Sequence, residues 1–159
     1  FPISVSESWL VNHWQTIEEC QKNILDILLT KDYVDYSYAE SLSYILCNYV
    51  PQEDIEEILT ILYMESRWKE LPRDKETDCY LPSKSNDYGP MQINRIHKET
   101  FGNSKFKCSL KENIHRGTDI YYAVGKNFGR YNGSGKNGEY NKRANKILQK
   151  IKGISDENL

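Results

Sequence analysis

The chain has 159 residues, a net charge of −2, 38% apolar residues and 28% charged residues. That balance excludes a disordered chain and provides for one domain with a real core. No run approaches the roughly eighteen apolar residues of a membrane helix, so no membrane span is expected. The small net charge hides an asymmetry. Residues 1–70 hold thirteen acids and four bases, a net −9, whereas residues 71–159 hold ten acids and seventeen bases, a net +7. The two parts attract each other, or the basic part faces an anionic partner. Internal matching is the expectation, because a nucleic-acid partner needs a dense basic stripe or a binding motif and neither is present. Twelve tyrosines suit a surface or cleft for polar ligands, since each offers a flat apolar ring with a polar tip.

The first helix is expected over residues 8–30, capped by Ser8, with Trp9, Trp14, Ile17, Ile24, Ile27 and Leu28 at helical spacing. A second is expected over 37–49, with Leu42, Ile45, Leu46 and Tyr49 on one side. Pro51 then opens a third helix, whose first turns carry Gln52, Glu53, Asp54, Glu56 and Glu57 at the positive end of the dipole. Residues 71–90, with Pro72, Pro82, Gly89 and Pro90, read as a long loop with room for a short hairpin. Helices follow over 92–101 and 110–128, then a glycine-rich loop from Gly129 to Gly138, a last helix over 139–151, and a frayed tail from Gly153. The fold class is mainly α.

Cys20, Cys47, Cys79 and Cys108 are widely spaced, with no CxxC pair, and His13, His97 and His115 are scattered, so no metal site is expected. An even number of such cysteines points to two disulfides and an oxidising compartment. Three pairings are open. Cys20–Cys47 within the N-terminal part and Cys79–Cys108 within the C-terminal part is the favoured one; free thiols in a cytosolic protein are the alternative. The chain begins Phe1-Pro2 rather than with Met, which fits an export signal already removed.

One carboxylate interrupts the apolar run of "ILYMESRW", residues 61–68. On a wheel of about 100° per residue, Ile55, Ile58, Leu59, Ile61 and Leu62 fall on one arc, and Glu65 falls inside it. A carboxyl group there loses hydration, so its pKa should rise, as suits a general acid for a glycosidic bond. The plain alternative is an exposed helix-end glutamate paired with Arg67 or Lys69. A second carboxylate, Asp87, stands in "SNDYGPMQIN", residues 85–94, where Gly89 permits a sharp turn or a close approach of backbone to ligand. By itself this stretch also reads as a turn capped by Asp87 or Asn86.

Taken in order, "ESRW", "SNDYGPMQIN", "ENIHRGTDIYYA", "RYNGSG" and "EYNKRANKIL" resemble the blocks of lysozyme-like lytic transglycosylases. They look most like the small specialised enzymes that accompany type III and type IV bacterial secretion systems. The resemblance spans residues 52–151. It implies a goose-type lysozyme/transglycosylase helical domain over 51–152; residues 1–50 match no block of that family and read as an N-terminal helical region packed on it, with a tail over 153–159. It makes Glu65 the catalytic acid/base and Ser66 a turn support or sugar contact. Gly89, Met91 and Gln92 match the lining of the sugar cleft, and Asn113 and Ile114 a block that braces the fold. Tyr131 and Asn132 match a pair beside the catalytic glutamate, in which the tyrosine orients the carboxyl group. Tyr140 matches a residue bordering the substrate. The departure is Pro90, where the family usually carries an aliphatic residue.

The resemblance implies cleavage of the β-1,4 bond between N-acetylmuramic acid and N-acetylglucosamine in peptidoglycan, with closure of the muramic O6 on C1 to a 1,6-anhydro product. One carboxylate suffices, aided by the substrate's acetamido group, with no cofactor. Peptidoglycan strands and components of a secretion apparatus are the implied partners, the periplasm or the cell exterior the location, and a monomer the expected state. Two alternatives stand. "NDYGPMQIN" also resembles animal-type lysozymes, in which Asp87 would be the second carboxylate of a hydrolase. A peptidoglycan-binding assembly protein is the non-enzyme reading.

Overall fold

The computed structural model describes residues 16–157. Its elements in chain order are helices α1 (Ile17–Leu28), α2 (Tyr36–Tyr49) and α3 (Ile55–Ser66), a hairpin of β1 (Asp87–Tyr88) and β2 (Ile93–Asn94), then α4 (His97–Phe101), α5 (Leu110–Ala123), α6 (Phe128–Asn132) and α7 (Glu139–Glu157). The mainly α class is borne out. Among the described residues no helix is long and apolar enough to cross a membrane.

α3 is the central element, and its position follows from its composition. Ile55, Ile58, Leu59, Ile61 and Leu62 are all fully buried, and α7 packs along the helix through Tyr140, Ala144, Leu148 and Ile151. α1 and α2 join the same core through Ile24, Ile27, Leu28, Leu42 and Leu46. α1 also touches α7, and α2 touches α5, so residues 17–49 share one hydrophobic interior with the rest. Both expected disulfides are formed. Cys20–Cys47 ties α1 to α2, and Cys79–Cys108 ties the loop after α3 to the turn before α5.

The acidic and basic parts meet at the start of α3. Asp54 is buried, and it accepts from Lys126 Nζ at 2.8 Å and from the Tyr122 hydroxyl. One turn on, Glu57 accepts from the Tyr121 hydroxyl at 2.6 Å. Buried or half-buried carboxylates are tolerated here because each has a donor supplied by α5 or the turn after it.

Several boundaries differ from the sequence expectation. α1 is capped by Thr16, whose hydroxyl accepts from Glu19 N at 3.0 Å, and it ends at Leu28. Ser8, Trp9 and Trp14 lie outside the described residues. Ile17 is exposed rather than on the buried arc, and so is Tyr49, whose ring meets Tyr44 edge-on. Pro51 leads into a 3-10 turn over Gln52–Asp54 before α3 proper.

Residues 92–96 are not helical. Gly89 at φ +73 and Gln92 at φ +50 reverse the chain, the Gln92 N–H donates to Gly89 O at 2.9 Å, and Ile93 and Asn94 pair with Tyr88 and Asp87. α5 stops at Ala123, before Gly125 and Lys126, both at positive φ. α6 starts at Phe128 and runs into the stretch from Gly129 expected to be all loop. It is capped by Asn127, and Gly129 within it sits so close to Gly135 that a Cβ would lie 1.9 Å from the Gly135 carbonyl oxygen. α7 continues through Gly153 to Glu157, because Ile147, Ile151 and Ile154 keep a helical-period face against the core.

Candidate active site

Glu65 is the penultimate residue of α3, half-buried, at the mouth of the helix. α3 ends abruptly there. Arg67 and Trp68 both take left-handed backbone, at φ 57 and φ 61, conformations that non-glycine residues adopt only when the surroundings hold them. The surroundings are visible. The Trp68 indole is buried, its N–H donates to Leu59 O at 2.9 Å, and its ring packs edge-on to Tyr63. This turn carries Arg67 over the Tyr63 ring, at 4.8 Å from the centroid, and Lys69 over Tyr33, at 5.0 Å. Neither cation pairs with Glu65, so the plain helix-end reading fails for a structural reason.

What Glu65 has instead is a tyrosine. The Tyr140 hydroxyl, on the first turn of α7, donates to Glu65 Oε2. Tyr140 is buried, and burial together with the Glu65 charge pushes its phenol far above its ordinary range, so it stays a donor. Burial raises the Glu65 pKa, the Tyr140 hydrogen bond opposes that rise, and the negative charge of Asp87 adds to it.

Glu65 opens onto a cleft of about 510 Å³. One wall is the hairpin, with Ser85, Asp87, Gln92, Ile93 and Asn94; the other is Ile120 of α5 with Tyr131, Asn132 and Gly133 at the end of α6. Ile96 and His97 close one end. Asp87 is held by three donors: Ser85 Oγ at 2.8 Å and Ser83 Oγ at 3.2 Å on Oδ2, and Asn94 Nδ2 at 2.9 Å on Oδ1. The carboxylate is thereby fixed in orientation.

Asn113 of α5, fully buried, fastens the hairpin. Its Oδ1 accepts from Met91 N at 2.9 Å, and its Nδ2 donates to Tyr88 O at 2.8 Å and to Phe106 O at 2.9 Å. Gly89 rests directly on this amide, where a Cβ would lie 2.3 Å from Nδ2. Ser66 fastens the hairpin from the other side, its hydroxyl donating to Leu62 O at 2.9 Å and Pro90 O at 3.0 Å.

Comparison with protein-family models, with curated proteins and with solved structures finds no match.

The residues singled out in the sequence separate into two groups. Glu65, Asp87, Gln92, Tyr131 and Asn132 line one cleft. Ser66, Gly89 and Met91 do not face it: Ser66 is a brace, Gly89 a contact for Asn113, and Met91 is 0% exposed beneath Gly117. The two tyrosines exchange the roles expected of them. Tyr131 donates to the Met91 carbonyl at 2.6 Å, and Tyr140, expected at the border of the substrate, is the residue that orients Glu65. A hydrogen-bonding tyrosine is legible in sequence, but which of two reaches a given carboxylate depends on how α6 and α7 pack.

Ser85, Asn94, Ile96, His97 and Ile120 are cleft residues that the sequence reading did not single out. Ser85 and Asn94 flank Asp87 within the quoted stretch, and their polarity was the available signal; nothing in the sequence marked Ile120. Among the described residues no three His, Cys, Asp or Glu side chains come together to hold a metal ion.

Proposed function

We propose that this protein is a peptidoglycan lytic transglycosylase with Glu65 as its acid and base. The observation that carries the reading is a carboxyl group with a raised pKa, held by a buried tyrosine, opening onto a polar cleft. A general acid must arrive at the glycosidic oxygen with its proton on, and desolvation is what keeps it there near neutral pH. Glu65 gives that proton to the leaving oxygen. The developing positive charge at C1 is met by the substrate's acetamido oxygen, with the fixed Asp87 carboxylate on the same cleft wall adding electrostatic support. The now ionised Glu65, with Tyr140 donating to it, takes the proton of the muramic O6 hydroxyl, and that oxygen closes on C1. Gln92 and Asn132 provide amide donors and acceptors for the sugar substituents.

Two disulfides fit an exported protein that works outside the reducing cytosol, and the resemblance points to the wall-opening step of a secretion apparatus. Hydrolysis is the second reading, favoured by the presence of Asp87 in the cleft with Glu65. Mass spectrometry of digested peptidoglycan separates the two. Anhydro-muramic ends are expected; reducing ends in their place would make the protein a lysozyme. Glu65→Gln should lower activity by about 10²–10⁴-fold with the fold intact, since an amide cannot give the proton. Undiminished wall clearing by that variant would leave neither enzyme reading standing.

A further inference from the structure

Ile96 lines two depressions, not one. Its side chain is 70% exposed at the end of the Glu65 cleft, and on its other side lies a second hollow of about 400 Å³. This hollow is lined by Arg95, Lys98 and Lys107, with Glu99 as the one acid. Among the described residues none of these three cations is in an ion pair. Like charges gathered in a concavity repel one another unless a counter-charge enters.

The hollow belongs to the same wall as the cleft. Lys107 Nζ stands 4.7 Å from the centroid of the Tyr88 ring, a cation–π contact that fixes it to β1 beside Asp87. Arg95 directly follows β2, and its N–H donates to Asn86 O at 3.0 Å. The two adjoining depressions therefore differ in sign. The cleft carries the carboxylates Glu65 and Asp87, which suits an uncharged sugar chain, and the hollow beyond Ile96 suits an anion.

We propose that the Arg95–Lys98–Lys107 hollow binds carboxylates on the peptide branch of a glycan strand whose sugars lie in the Glu65 cleft. The inference rests on the glycan-cleaving reading and deepens it. Peptidoglycan has the required chemistry, a neutral acetamido-sugar backbone whose muramic lactyl groups carry peptides ending in carboxylates. The hollow makes the protein select peptide-bearing strands over bare ones.

The test uses soluble glycan fragments in three forms: peptide-bearing, peptide-bearing with amidated carboxylates, and stripped of peptide by an amidase with the lactyl carboxylates so freed converted to amides. Binding is measured by calorimetry on the Glu65→Gln protein, which holds the strands without consuming them. Peptide-bearing fragments are expected to bind roughly tenfold more tightly than the other two, as several modest surface charge contacts together provide. Arg95→Gln with Lys98→Gln should abolish that preference, as should high salt, while the same pair of changes in the otherwise native protein leaves cleavage of stripped strands unchanged. Equal binding of the three forms, or a preference that survives amidation or the double substitution, overturns the proposal. Failure of the parent reading looks different: the native protein would release no fragment from any of the three.

Discussion

A glutamate at a helix end ordinarily reaches fully into water or pairs with a nearby cation; Glu65 is half-buried, and the left-handed turn immediately after Ser66 draws Arg67 and Lys69 away onto tyrosine rings. Its titration then answers to two named neighbours of opposite effect. Tyr140→Phe removes the hydrogen bond that favours the ionised form, so the Glu65 pKa should rise further and the alkaline limb of the kcat/KM profile should move to higher pH. Asp87→Asn removes a repelling charge and should move that limb the other way, with a far smaller loss of rate than Glu65→Gln. Limbs that stay where they are in both variants would show that another group titrates. The same burial has a stability consequence. A carboxyl whose folded pKa lies above its ordinary 4.5 binds more protons folded than unfolded, so stability is lost as pH rises from that value through the folded pKa. Glu65→Gln should therefore be more stable than the native protein at neutral pH, with the difference vanishing below about pH 4.5, as thermal melts across that range can check.

At the scale of elements, the cleft depends on a two-residue hairpin that is too short to hold itself. Asn113 from α5 and Ser66 from α3 replace the missing ladder with four hydrogen bonds to its backbone or its neighbours. Gly89 makes this possible, by its φ of +73 and by leaving room for the Asn113 amide. Gly89→Ala should cost about 1–3 kcal/mol, from overpacking plus left-handed strain, read as a lower denaturant midpoint. A near-neutral result would mean that the hairpin has another anchor. Asn113→Leu is expected to cost at least as much, since it leaves three backbone groups, two of them in buried hydrogen bonds, without the Asn113 amide.

For the whole molecule, the two disulfides divide by exposure. Cys20–Cys47 lies in the core between α1 and α2, whereas Cys108 is at the surface in the loop region next to the hairpin. Mild reductant should open Cys79–Cys108 first with the helical core retained, and Cys20–Cys47 only as the protein unfolds. Loss of each bridge should cost about 2–4 kcal/mol. Peptide mapping after timed alkylation follows the order, and simultaneous reduction would contradict it.

What the sequence by itself determined follows from periodicity and composition. The mainly α class, the apolar arc of α3 with Glu65 on it and the expectation of two disulfides rest on local patterns, carried by residues within a few positions of one another or by counting. Tertiary structure decided the rest. It turned Gly129 from a loop residue into a contact point, kept α7 helical through Gly153 because Ile151 and Ile154 found a core to cover, and chose Tyr140 over Tyr131 as the partner of Glu65. The choice of tyrosine depends on which surfaces meet between residues 40 and 75 positions apart in the chain. A pattern along the sequence sets which face of a helix is apolar, but only packing sets what that face, and the one carboxylate on it, will touch.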